Sequence, residues 1–387
     1  MNLQTPRIEK RFHRDGRMIR FTNFIDEESF EFEKKAKTLL PEAPLEQQLD
    51  YLSQAKKEIY LLQVLSRDGE PALQASAFIA RPKLFRGFGM ATVPNFSSCL
   101  KSIDEEFALK LLAELIADIP GVVLLRVEPF RMDAFSLNEF QENAEKSGYF
   151  HSLPLARTKT LICDLMDSEE ILLKSLPQKT RAKVRNASRA QVKIESLTDP
   201  KFENTCTLAM NESRKRSGGG HADYDFKAAF KMARNHPDCL IILGLFLLNE
   251  PSKLLAYAIG YRSGDRCEFN SAGALGNPEL RALPYNYFLL WELMRWGRSM
   301  GSKTMDLGGI TSGDPKDPLL GISRFKRSFT SRELEVSREM VRIVRPIRFT
   351  IYCILKSVIS LFRFRNQAIP VNKIKPKNRM GMVPTYD

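Results

Sequence analysis

The chain has 387 residues, 43% hydrophobic and 27% charged, a composition that suits globular folding and a length that suits two domains of ordinary size. Six scattered cysteines, Cys99, Cys163, Cys206, Cys239, Cys267 and Cys353, with no close pair, suggest neither a zinc-ligand cluster nor a disulfide framework, and most read as small buried apolar residues in a reducing compartment. The formal net charge of +13 points to anionic partners such as nucleic acid, lipid headgroups or phosphorylated intermediates. The first residues are basic without an apolar run, so no signal peptide is expected and a cytoplasmic location is.

In chain order, Asp26 to Leu40 and Leu45 to Lys57 read as helices parted by Pro41 and Pro44, with acidic starts and Lys-bearing ends that suit the helix dipole. Ile59 to Ser66 and Ala72 to Ala80 form a predicted hairpin around Asp68-Gly69, and Phe88 to Val93 a third strand. Phe107, Leu111, Leu112, Leu115, Ile116 and Ile119 fall on one helix face that Pro120-Gly121 ends, and Val122 to Val127 is an apolar strand. A helix near Ala134 to Ser147, stopped at Gly148, follows, and a strand from Thr158 to Leu165, after the turn residues around Pro154, is expected to close the first half.

Between the halves lies the basic run Ser175 to Ala190. Arg181, Arg185 and Arg189 recur every fourth residue, with Lys179 and Lys183 on the flank and no acid among them. On a helix the three stack along one face, which is either a solvated basic surface or a bidentate phosphate site.

The second half repeats the order of the first. Lys201 to Arg216 and Tyr224 to Asn235 read as helices split by Gly218-Gly219-Gly220, Leu240 to Leu248 pairs with Leu254 to Tyr261, and Cys267 to Ala272 is the third strand. A helix from Leu283 and a strand from Lys303 then match the helix at Phe107 and the strand at Val122. The same offset separates Ile59 from Leu240 and Val122 from Lys303, so one α/β unit of roughly 180 residues is expected twice.

The strand from Lys303 ends at Gly308-Gly309, and a Gly, Asp and Pro loop leads to Ser323-Arg324-Phe325-Lys326-Arg327. Glycines that permit close backbone approach, beside a cationic cluster, suit an anion site; an ordinary turn with core phenylalanines is the plainer reading. His13, His151, His221 and His236 stand apart from any Ser or Cys signature, and no metal site is expected. From Pro346, the stripe of Ile347, Ile351, Ile354, Leu355, Val358, Ile359, Leu361 and Phe362 is interrupted by Arg348, Lys356, Arg363 and Arg365. It is too charged and short to span a bilayer, which leaves a helix packed on the first domain or one lying on a membrane surface.

The stretch from Leu283 to Phe329 resembles the C-terminal signature of the FemABX family of peptidyltransferases: Pro284-Tyr285-Asn286-Tyr287, Asp306-Leu307-Gly308-Gly309, and Arg324-Phe325-Lys326-Arg327-Ser328-Phe329 stand at its three stations. The run after Asp167-Ser168-Glu169-Glu170 is similar to that family's basic helix. The repeated unit resembles GCN5-related acyltransferases, so the expected fold is α/β with two tandem domains of that kind and mixed sheets. The first spans 1–160, completed by 331–387, and the second spans 161–330.

The resemblance implies transfer of an amino acid from aminoacyl-tRNA to the stem-peptide amine of a UDP-linked or lipid-linked peptidoglycan precursor, by a monomer without a cofactor and in possible contact with the inner membrane surface. An activated ester needs alignment and oxyanion stabilisation rather than a covalent intermediate, which makes Lys326 and Phe325 the catalytic candidates. Arg181 and Arg185 are carried over as holders of the precursor's pyrophosphate, and Tyr257, Tyr261, Asn270, Gly308 and Gly309 as the cleft lining. Three departures stand out: no match in Phe21 to Lys37 to the family's Trp-containing segment and its lysine, no carboxylate in Val93-Pro94-Asn95-Phe96, and no long helical hairpin in Pro200 to Asn235. The alternatives are an acetyl-CoA or acyl-CoA-dependent N-acyltransferase acting on a surface-polysaccharide precursor, for which Gly273-Ala274-Leu275-Gly276 is a poor CoA loop, and a non-catalytic basic binding protein.

Overall fold

The computed structural model describes residues 7–39, 49–52, 58–82, 84–94, 96, 103–129, 134–151, 159–217, 224–276, 283–311, 317, 319–335 and 339–367. Most of the expected helix Leu45 to Lys57, the triple glycine at 218–220, Asn95, Cys99, His221 and the turn around Pro154 lie outside these residues.

Asp15 and Gly16 both hold positive φ, 52° and 75°, the geometry of a two-residue turn whose twist matches its strands. It joins β1 (Glu9–Arg14) to β2 (Arg17–Thr22), a hairpin absent from the sequence expectations because Lys10, Arg11, Arg14, Arg17 and Arg20 mask its alternation. Ile19 and Phe21 are nevertheless buried. Arg20, only 3% exposed, donates to Glu9 at 2.9 Å, Ser29 at 3.0 Å and Asp26 at 2.6 Å, which ties the hairpin to the start of α1 (Glu27–Leu39). Burial raises the Asp26 carboxyl, but its bonds from Arg20 and Ser29 outweigh that and hold it well below the usual carboxylate range.

The first unit continues through α2 (Leu49–Leu52), β3 (Glu58–Leu65), β4 (Pro71–Ala80), β5 (Gly89–Val93), α3 (Glu105–Ala117), β6 (Val122–Val127), α4 (Ala134–Lys146) and β7 (Phe150–His151). Asp104 caps α3 by accepting from Phe107 N at 2.8 Å. The buried stripe of α3, from Ala108 to Ile116, lies on the sheet in a core with Tyr60, Leu62 and Val127, where each fully buried large apolar side chain contributes about 1.5–3 kcal/mol relative to exposure.

The second unit runs β8 (Lys159–Asp164), α5 (Glu169–Ser175), α6 (Gln178–Arg185), β9 (Val192–Ser196), α7 (Glu203–Arg216), α8 (Phe226–Asn235), β10 (Leu240–Leu247), β11 (Ala256–Ser263), β12 (Arg266–Ala274), α9 (Tyr285–Ser299), β13 (Thr304–Gly309), α10 (Leu320–Arg327) and β14 (Glu333–Glu335). Helix α9 connects the parallel pair β12 and β13 as α3 connects β5 and β6, so the repeat expected from the sequence is present in topology. Strand β9, like β2 an outer neighbour of its hairpin, was not expected.

β15 (Met340–Ile343) returns to the first sheet, and α11 (Pro346–Gln367) ends the described chain. The eight-stranded sheet has the order β1-β2-β3-β4-β5-β6-β15-β7 and the seven-stranded sheet β14-β8-β13-β12-β11-β10-β9. The strand expected to close the first half is β8 and stands in the second sheet instead, because its partners are β13 and β14. The segment expected to complete the first unit divides, Glu333–Glu335 pairing with β8 and Met340–Ile343 with β6 and β7. One face of the second sheet packs on α9, and the other, through Phe246, Tyr257 and Ile259, on α7 and α8.

Candidate functional site

Parallel β12 and β13 are in register only from Arg266↔Thr304 to Glu268↔Asp306, although both strands run on, to Ala274 and Gly309. They part because β12 is bent and then pulled. Its pairing with β11 slips from Gly260↔Phe269 to Ile259↔Ser271, which leaves Asn270 as the extra residue of a bulge, and bulges kink a strand and re-aim its side chains. Beyond the bulge, α7 holds β12: Ser213 Oγ accepts from Ala274 N at 2.9 Å, Glu212 from Gly276 N at 2.5 Å, and Arg216 donates to the Ala274 carbonyl at 2.8 Å. Gly273 makes this approach possible, since a Cβ there would stand 2.8 Å from the α7 backbone at Ala209 and Met210.

The gap is a cleft of about 540 Å³ lined by both strands, the C-terminal end of α7, the first turn of α9 and α10. In the first sheet the corresponding strands stay zipped from Gly89↔Val122 to Val93↔Val127. Glu128 N then donates to Val93 O and Phe96 N to Glu128 O, both at 2.9 Å, with Phe96 fully buried behind them.

Lys326 forms part of the cleft wall. It shares the buried face of α10 with Ser323, is 8% exposed, and donates from Nζ to the Gly309 carbonyl at 2.8 Å, with the Phe269 ring 5.9 Å away. Gly308 has φ of +78°, which glycine adopts without strain, and its N–H goes to Asp306 Oδ1 at 2.7 Å. Asp306 is fully buried and also takes the Thr160 hydroxyl, with Arg266 at 3.8 Å from its other oxygen. The aspartate of Asp306-Leu307-Gly308-Gly309 thus shapes the glycine turn, and the turn presents a carbonyl to the lysine.

Of the expected residues, the structure brings Asn270, Gly308, Gly309, Phe325 and Lys326 together in this cleft. Tyr257 and Tyr261 are corrected. They stand behind the wall, 0% and 2% exposed, Tyr257 against Phe226 with ring centroids 5.3 Å apart and Tyr261 donating to Glu268 at 2.8 Å. On β11 the period-two alternation turns both inward, away from the cleft. Residues not anticipated are Glu268, Asn286, Arg214 and Arg216. The signal for the last two, Arg214-Lys215-Arg216 at a helix C-terminus, was visible as dipole complement alone.

The expected arginine stack is also corrected. Helix α6 ends at Arg185, and a 3-10 turn precedes Arg189. Arg181 turns back to donate to the Lys174 carbonyl at the end of α5, 2.7 Å away. Arg185 and Arg189 line a second cavity of about 820 Å³ with Trp291, Glu292 and Arg295, separate from the Lys326 cleft. The two sites touch the same scaffold: Thr180 donates to Ser328 O at 2.8 Å, and Lys183 to Tyr287 OH at 3.1 Å. Burial raises the Tyr287 phenol, but Ser328 and Lys183 outweigh it and hold the group below its ordinary value.

Among the described residues no group of His, Cys, Asp and Glu is arranged to hold a metal ion. Burial pushes the thiols of Cys163, Cys206 and Cys267 up to about 12, so none is poised as a nucleophile at neutral pH.

Among solved structures the chain is similar to one described as FemX, with a TM-score of 0.66 and 14% identity, over 83% of this chain and 98% of that one. The fold is that of FemX. Further likenesses are to L-PGS from Bacillus licheniformis (TM-score 0.50, 14% identity, 82% of this chain and 92% of that one) and to a tandem GNAT protein from the clavulanic acid biosynthesis pathway (TM-score 0.47, 11%, 84% and 98%). No family model and no curated protein matches the sequence. The resemblance to FemABX proteins is thereby borne out at the level of fold. The chain is α/β, with two repeated units each built on a mixed sheet, as expected.

Proposed function

We propose that the protein is an aminoacyltransferase that moves an amino acid from aminoacyl-tRNA to the stem-peptide amine of a peptidoglycan precursor, with the β12–β13 cleft as its active site. The observation that carries this reading is the buried Lys326, fixed at the Gly309 carbonyl where the two parallel strands part, in a chain with the FemX fold. An acceptor amine attacks the ester carbonyl of the donor, a C–N bond forms, the C–O bond breaks, and the proton shed by the amine leaves on the ribose oxygen. Negative charge gathers on the carbonyl oxygen during the attack, and a preorganised, largely buried ammonium stabilises it more than it stabilises the ground state. Phe325 and Asn270 shape the same wall, and Arg214 and Arg216 set positive charge at its rim for an RNA phosphate or peptide carboxylate. Arg185, with Arg189 in place of Arg181, is the proposed grip on the precursor's pyrophosphate.

The test supplies purified protein with a charged transfer-RNA pool and a precursor peptide bearing a free side-chain amine. Product should form, disappear after ribonuclease treatment and decline as salt rises, because RNA contacts release counterions. Product made from acyl-CoA and indifferent to ribonuclease overturns the reading in favour of an acyl-CoA-dependent N-acyltransferase. Absence of transfer from either donor, with RNA binding retained, leaves a basic binding protein.

A further inference from the structure

Over residues 346–358, helix α11 meets the protein along one side. Tyr352, 9% exposed, packs on Phe85 and Phe88 with ring centroids 5.8 and 5.7 Å away, and Arg345, just before the helix, donates to the Ala117 carbonyl at 2.7 Å. The other side is bare. Ile347, Ile351, Ile354, Leu355 and Val358 are 79%, 44%, 58%, 38% and 42% exposed, and at helical spacing they share an arc of about 100°. Leu84, 64% exposed, extends the apolar surface from the same loop as Phe85 and Phe88.

Charge lies at the root of this stripe. Arg86 and Arg348 line a cavity of about 500 Å³ with Arg81, whose own charge is matched by Glu58 at 2.7 Å. Neither Arg86 nor Arg348 makes an ion pair among the described residues. Helix α11 contains Arg348, Lys356, Arg363 and Arg365 and no acid, and the sequence beyond it adds Lys373, Lys375, Lys377 and Arg379 before Asp387. Among the described residues no helix is long and apolar enough to cross a membrane. An acid-free helix with one apolar stripe fits the plane of an anionic bilayer, where the stripe enters the headgroup boundary and the flanking cations meet lipid phosphates. A second copy of the chain is the weaker occupant, since a symmetric contact would set this cationic face against itself.

We propose that α11 and the Leu84 loop form a docking face for an anionic phospholipid bilayer, with Arg86 and Arg348 taking a lipid phosphate at the foot of the helix. The face is independent of the Lys326 cleft, and its test uses no transfer reaction. The purified full chain is sedimented with vesicles of phosphatidylcholine alone and with phosphatidylglycerol added. Binding to the anionic vesicles should exceed binding to the neutral ones by about tenfold at low salt and fall as salt rises. Ile351→Asp with Ile354→Asp should reduce it by about tenfold or more with the circular dichroism and melting profile unchanged, because both side chains are solvent-exposed. Arg86→Glu with Arg348→Glu should reduce binding to the anionic vesicles while leaving the residual neutral binding as it was. No sedimentation with either vesicle, equal binding to both, full binding by the double aspartate variant, or a wild-type dimer that this variant abolishes would each overturn the proposal.

Discussion

At the scale of single residues, Lys326 has a structural part, its bond to the Gly309 carbonyl, and in the proposed function a chemical one, and substitution separates them. Lys326→Met removes the donor to the Gly309 carbonyl, which costs about 1–3 kcal/mol if that oxygen stays buried, yet the chain should remain folded. The transfer rate should drop by roughly a hundredfold, read in single-turnover assays beside a thermal melt. Near-normal turnover would remove the lysine from the chemistry. The arginines separate in the same way: Arg185→Ala should weaken binding of a pyrophosphate-bearing acceptor, whereas Arg181→Ala should chiefly lower the melting temperature, because Arg181 serves the Lys174 carbonyl. Asp26 gives a pH prediction. Its folded value lies below the ordinary aspartate value of about 3.9, so its contribution to stability is present above that pH and is lost as pH falls towards the folded value. Asp26→Asn should cost about 1–3 kcal/mol at neutral pH by weakening the hold on buried Arg20, and acid melts of the variant should depend less steeply on pH below about 4. The sequence made Lys326 legible through a family-like signature, and Asn270 was picked out beside Tyr257 and Tyr261 as cleft lining without one. It misplaced Tyr257 and Tyr261, because strand residues alternate between faces and nothing local says which face meets a cleft.

Secondary-structure elements explain why there is one opened pair of parallel strands among the described residues. The order of strands and helices in both halves was legible, since apolar periodicity and glycine or proline stops mark each element. The parting of β12 from β13 was not, because it follows from a bulge and from helix α7 drawing the strand end across, and both are tertiary effects. Glycine substitutions test this. A Cβ at Gly273 would meet the α7 backbone at 2.8 Å and Tyr257 Cε1 at 2.6 Å, so Gly273→Ala should destabilise by about 1–3 kcal/mol and displace the Arg214–Arg216 rim, lowering affinity for the donor. Gly321 lies inside α10 with nothing within 4 Å of its would-be Cβ, and Gly321→Ala should stabilise by about 0.5–1 kcal/mol. Denaturant melts that rank the two variants the other way would mean that α7 does not press on β12 as described.

At the scale of the whole molecule, the two halves were expected from a shared offset in the sequence, but the path of the chain between the sheets was not. Short strands such as Met340–Ile343 have too few residues to announce a partner, and their sheet is chosen by what lies open when they arrive. Strand β15 sits between β6 and β7, pairing Met340 with Val127 and with His151, while Glu339, 2% exposed, meets Arg126 in an ion pair. The ribosome makes β6 and β7 first and must then thread out the entire second sheet. At about 5–20 residues per second, that interval is roughly 10–40 s. Throughout it β6 is an unpaired edge of the nascent first sheet, and β7, which among the described residues pairs with β15 alone, has no sheet to join; an open edge of this kind recruits other strands. A fragment ending at Glu335 should therefore be poorly soluble and dependent on a holding chaperone, which a centrifugation assay of expressed truncations would register, whereas one ending at Gln367 should stay soluble. Biosynthesis of this protein then has a late commitment point: four residues made after the whole second sheet complete a sheet begun before it, and a stalled or truncated translation product reaches the chaperone network as an adhesive intermediate rather than as a finished half.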